Sequence, residues 1–135
     1  MKIAVLLSGS GVYDGTEIHE SVCTLLALSQ NNLDFICTAP NIIQHHVINH
    51  VNGEVMSEQR NSFVESARIA RGDIISLCEL NKAEISGIVI PGGFGAAKNL
   101  SNWAFEGPNG NVLPEVKDLI LYCVKNKKPI VALCI

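Results

Sequence analysis

An unbroken apolar run, Ile88-Val89-Ile90, stops at Pro91 and opens into three glycines within four residues, Gly92, Gly93 and Gly95. A β-branched run without alternation suits a central parallel strand covered on both faces. Proline has no N–H to give the ladder, so the strand ends there. The glycines leave their backbone amides uncovered by any Cβ, and bare amides at the carboxyl end of a parallel strand make anion and oxyanion sites in α/β proteins. One other stretch answers to this one. Lys128-Pro129-Ile130-Val131-Ala132-Leu133-Cys134-Ile135 is a second apolar strand with a thiol at its carboxyl end. Set beside the glycine loop, that thiol is a nucleophile facing oxyanion donors.

A chain of 135 residues accommodates one domain with a real core. It is 47% hydrophobic and 17% charged, yet no apolar window reaches bilayer-spanning length. Met1-Lys2 runs directly into the first strand and leaves no room for a signal or transit peptide, so a cytoplasmic protein is expected, with no membrane partner. The net charge of −3, with no basic run longer than Lys127-Lys128, argues against nucleic acid as a partner. The five cysteines, Cys23, Cys37, Cys78, Cys123 and Cys134, are odd in number and lack C-x-x-C spacing. They read as reduced thiols, neither a disulfide framework nor a zinc site. The first four lie in apolar segments and suit small buried hydrophobes.

The pattern predicts strands over 2–7, 33–39, 74–77, 88–90 and from Pro129 onward, with helices over 17–30, 60–71, from 96 to 102 and from Pro114 to about 125. Asn52-Gly53 between 47–51 and 54–56 predicts a β-hairpin with a two-residue turn. Residues 81–84 read as one helical turn, and 103–113 as an irregular excursion. This order is the grammar of a doubly wound, mainly parallel sheet with right-handed crossovers. A helix should follow a strand that ends in Leu133-Cys134-Ile135.

A cysteine at a sharp strand-to-helix turn is the thiol version of a nucleophile elbow. By spacing alone Cys134 reads equally as a core cysteine; the glycine loop tips it towards nucleophile. Glu17 is the best-placed carboxyl, either a general base for the thiol or an exposed helix-start glutamate favoured by the dipole. His45, His46 and His50 lie on the predicted hairpin, where neighbours point to opposite faces, so no metal site is expected. Gly9-Ser10-Gly11 with Gly15 is one residue off the dinucleotide spacing, and no cofactor is expected.

Ser8 to Glu20, Val47-Ile48-Asn49-His50, Pro91 to Asn102 and the terminal Cys134-Ile135 closely resemble the ElbB-like proteins. These are isoprenoid-biosynthesis-associated proteins with an amidotransferase-like domain, in the ThiJ/PfpI branch of the class I glutamine amidotransferase superfamily. The resemblance runs the whole length of the chain. It implies a flavodoxin-like three-layer sandwich that forms a homodimer. It implies Cys134 as elbow nucleophile, Glu17 as the carboxyl that holds it, and the amides of Gly92, Gly93, Phe94 and Ile135 as the oxyanion site. It further implies a glyoxalase activity without cofactor, converting glyoxal, a small aldehyde, to glycolate. Many such proteins carry histidine directly after the cysteine. Here that position is Ile135, so a Cys-His triad and glutaminase activity are not expected. Such chains also continue past the elbow, so this one reads as shortened there, with an exposed sheet edge and a tendency to self-associate. The rival expectation is a redox-sensitive or regulatory dimer that binds other proteins, since a low-pKa cysteine is also readily oxidised.

Overall fold

The structure is a computed structural model and describes residues 1–134. Five strands form one sheet: β1 (Lys2–Leu6), β2 (Phe35–Ala39), β3 (Ile74–Ser76), β4 (Ile85–Ile90) and β5 (Ile130–Ala132). Their order is β3-β2-β1-β4-β5, and every neighbouring pair is parallel. Helices α1 (Ile18–Gln30), α2 (Ser62–Ala70), α3 (Phe94–Lys98), α4 (Trp103–Glu106) and α5 (Pro114–Lys125) complete it.

The expected three-layer sandwich follows from how β1 alternates. Val5 and Leu7 point to one face, where Leu25 and Leu28 of α1 and Phe63 and Ile69 of α2 cover them. Ala4 and Leu6 point to the other, against Val116, Leu119 and Cys123 of α5. Leu6 and Leu7 are 1% and 0% exposed. Each such leucine contributes about 1.5–3 kcal/mol by burial. Residue-by-residue alternation with both faces apolar is how a central parallel strand looks.

The chain leaves β1 towards β2 and β3 on one side and leaves β4 towards β5 on the other. The carboxyl ends of β1 and β4 are therefore neighbours where the winding reverses, the place where open α/β sheets hold ligands. Among the described residues, no helix is long and apolar enough to cross a membrane.

Local differences from the expected elements have local causes. β2 begins at Phe35, not 33, because Asn32 turns left-handed (φ 53°) and the Leu33 N–H bonds back to Leu28 O at 3.0 Å. In the 41–61 stretch the strands reduce to isolated antiparallel bridges, Ile48 to Val55 and Ile43 to Asn61. The expected turn at Asn52-Gly53 closes wider: Gly53 N donates to Asn49 O at 2.7 Å, and the Asn49 side chain takes the Val51 N–H at 2.9 Å. α3 starts at Phe94, and a short helix, α4, stands inside the stretch expected to be irregular.

Candidate functional site

The loop after β1 and the loop after β4 are laced together by backbone. Glu17 N donates to Gly92 O, Phe94 N to Val12 O and Gly95 N to Gly15 O, each at 2.8 Å. Gly93 takes φ 99°, and a Cβ there would lie 2.5 Å from Glu17 N and from Gly15 O, so no side chain fits. Asn99, 5% exposed, fastens the same loops from below. Its Nδ2 donates to Ser8 O and Asp14 O at 2.8 and 2.9 Å, and its Oδ1 accepts from His45 N at 3.0 Å.

Cys134 stands at the end of the adjoining strand, where Leu133 N donates to Ile90 O at 3.0 Å. It is exposed and takes φ 60°. Three other non-glycine residues share that left-handed geometry, Asn32, Arg71 and Lys127, and each closes a helix. Cys134 alone takes it straight after a strand. A left-handed φ at an exposed thiol near the end of a strand makes Cys134 a candidate nucleophile.

The carboxylate that meets this corner is Glu20. Its Oε2 accepts the Gly92 N–H at 2.7 Å. A methyl group on Gly92 would strike Cys134 Cβ and come within 2.6 Å of Glu20 Oε2, so the Cys134 Cβ and the Glu20 carboxylate meet at one glycine. Glu17 is employed otherwise. Its Oε2 accepts the Glu20 N–H at 2.6 Å as the cap of α1, and its Oε1 lies 3.6 Å from His19 Nδ1. Glu17 and Glu20 are three residues apart on one helical turn, so their spacing offered both as candidates, and the structure has Glu17 cap the helix while Glu20 reaches across to Gly92.

Among the amides expected to hold an oxyanion, that of Gly92 is bound to Glu20 and that of Phe94 to Val12. The Gly93 amide has no acceptor among the described residues. Ile135 lies outside the described residues. Cys37 and Cys123 are buried as expected, and burial raises both thiols, Cys37 to about 11 with Asp73 adding to it. Cys23 and Cys78 are exposed.

The 47–56 stretch is pinned to the site by Asp14, which is 4% exposed and whose Oδ2 accepts the Ile48 N–H at 2.7 Å. His50 stacks on Tyr13 with ring centroids 4.8 Å apart. Its Nε2 accepts the Tyr13 N–H at 3.2 Å, so Nδ1 carries the proton and donates to Ile48 O at 2.9 Å. His45 and His46 do not point to opposite faces, as expected of hairpin neighbours; their rings meet edge to face at 4.4 Å. Burial, then Lys98 and His45, lower the His46 imidazole, against the pull of Asp14. Among the described residues, no group of three His, Cys, Asp or Glu side chains is arranged to hold a metal ion.

A doubly wound parallel sheet with a glycine loop at the winding reversal and an exposed cysteine after the neighbouring strand is the architecture of an amidotransferase-like α/β protein. No family model matches the chain. It is 47% identical over 135 residues to the ES1 protein homolog, mitochondrial, of Rattus norvegicus, covering 99% of this chain and 51% of that protein. It is 45% identical over 135 residues to the human glutamine amidotransferase-like class 1 domain-containing protein 3, mitochondrial, covering 99% and 50%. A solved structure, the isoprenoid biosynthesis protein with amidotransferase-like domain from Ehrlichia chaffeensis, superposes with a TM-score of 0.94 at 44% identity, covering 99% of this chain and 63% of that one. The chain is thus a relative of the amidotransferase-like isoprenoid biosynthesis and ES1 proteins, and it spans about half the length of the curated relatives it matches.

Proposed function

We propose that the protein is a cysteine-dependent, cofactor-free glyoxalase that converts glyoxal to glycolate, with Cys134 as nucleophile and Glu20 as the carboxyl that moves the proton. The observation that carries the reading is the convergence of the strained Cys134 and the Glu20 carboxylate on Gly92. The thiolate adds to one carbonyl of the dialdehyde to give a hemithioacetal. Glu20 takes the proton from that carbon, the electron pair moves to the second carbonyl, and reprotonation at the neighbouring carbon gives a glycolyl thioester. Water then breaks the C–S bond and returns the thiol, so one molecule of water is consumed and no outside oxidant or reductant is needed. The Gly93 amide is the donor to the developing oxyanion.

The protein works as a homodimer in a reducing compartment. The cytoplasm is the setting read from the sequence, whereas the curated relatives are named mitochondrial. The association with isoprenoid biosynthesis rests on the name of the Ehrlichia protein. Exposure of Cys134 also supports the redox-sensitive, partner-binding reading.

Glyoxal turnover and thiol alkylation separate the two. Turnover that disappears in Cys134→Ala, falls by roughly a hundredfold in Glu20→Gln and survives Glu17→Gln is the expected result. Oxidation at Cys134 that alters partner binding, with no turnover by the unmodified protein, would replace the enzymatic reading with the regulatory one.

A further inference from the structure

Beside the glycine loop lies a hollow of about 340 Å³ lined by Tyr13, Ile48, Gly53, Phe94 and Lys98. Its aromatic walls are open to solvent: Tyr13 is 42% and Phe94 47% exposed. It adjoins the candidate active site through the backbone, because Phe94, two residues after Gly92, donates its N–H to Val12, the residue before Tyr13. Lys98 Nζ sits 5.0 Å above the Phe94 ring and donates to Tyr13 O at 2.9 Å, which leaves two ammonium N–H groups unspent. Among the described residues no carboxylate lies within ion-pair distance of Lys98, whereas Arg60 and Arg68 are each paired with glutamates. The nearby Asp14 carboxylate is turned to Ile48 N and towards His50. Burial pushes the Lys98 ammonium down, with Asp14 opposing. No acidic side chain lines the hollow.

We propose that this hollow is the specificity subsite of the Cys134 site and takes the carboxylate of a small 2-oxoaldehyde whose planar body lies between Tyr13 and Phe94. The proposal deepens the glyoxalase reading and rests on it for the reacting end of the substrate. A single lysine with two free N–H groups matches a monoanionic carboxylate. A phosphate dianion calls for more donors than this wall supplies. Glyoxal fills only the thiol end and leaves Lys98 without a counter-charge, so it is a poor fit for the whole site.

Two arms test the proposal and keep its failure apart from that of the activity. In the first, binding of unreactive 4-acetylbenzoate and its neutral amide, 4-acetylbenzamide, is measured by calorimetry on Cys134→Ala protein. The acid is expected to bind at least about tenfold more tightly, the size of one charge-assisted hydrogen bond. That preference should vanish in the additional change Lys98→Gln and persist in Lys98→Arg. Equal affinities, or a preference that survives Lys98→Gln, overturn the subsite. In the second, kcat/KM of the unaltered protein is compared for 4-carboxyphenylglyoxal and phenylglyoxal. Turnover of both without discrimination also overturns the subsite while the activity stands. Binding preference in the first arm without turnover in the second sustains the subsite and removes the glyoxalase reading.

Discussion

Val5, Val89 and Val131 stand side by side on one face of the sheet, in β1, β4 and β5, and their exposures are 0%, 9% and 45%. The same residue type in the same register thus passes from sealed interior to open edge within three strands. The two halves of the candidate site inherit that difference. Gly92, Gly93 and Glu20 are held by the buried middle of the sheet, through backbone bonds and the Asn99 clamp. Cys134 is presented by β5, whose three residues are all exposed. The scaffold fixes amides and carboxylate through many bonds, and among the described residues the thiol is placed by the pairing of β5 with β4.

The sharpest way to break this contrast is to disturb the middle. Gly93→Ala should cost roughly 4 kcal/mol, because positive φ strain and a backbone collision add together; a denaturant midpoint close to the unaltered protein would mean that the loops are not locked as described. Asn99→Ala should cost about 3 kcal/mol by stranding the Ser8 and Asp14 carbonyls in the interior and releasing the His45 amide. Amide exchange should then quicken in both site loops together. A third pair reads the contrast directly: Val5→Ala should destabilise by about 2 kcal/mol and Val131→Ala by less than about 1 kcal/mol. Equal losses would show that a second copy or another partner covers β5 in solution.

The smallest effect concerns pH. The folded protein holds the His46 imidazole below its ordinary value of 6.5, so the unfolded chain binds more protons as pH falls through that window. The contribution of His46 is therefore complete above about pH 6.5 and is lost as the solution is acidified towards the lowered folded value. Melting at pH 7.5 and pH 5, compared between the unaltered protein and His46→Gln, should show a smaller acid loss in the variant; identical losses would remove His46 from the account.

The parts of this arrangement that depend on short-range pattern were legible in the sequence. Ile88 to Pro91 announced a buried strand and its end, and the apolar alternation elsewhere gave a parallel sheet with helices on both faces. Cys134 could be placed at a strand end, but its left-handed φ could not be read from composition. What spacing could not settle was which of two neighbouring glutamates reached Gly92, since Glu17 and Glu20 share a helical turn and only the packing of α1 on the sheet decides between them. In the 41–61 stretch the antiparallel pairing of Ile48 with Val55 was legible but the turn was not, for a related reason. Its shape is set by distant partners, Asp14 on Ile48 and Asn99 on His45, and Asn52-Gly53 lost its two-residue turn to the Asn49 side chain.

The strand order also carries a timetable. A ribosome delivers the amino-terminal part first, and β1 to β4, with the glycine loop and Glu20, are made about forty residues before Cys134. The loops laced by backbone and the Asn99 clamp are thus made before the thiol that meets them.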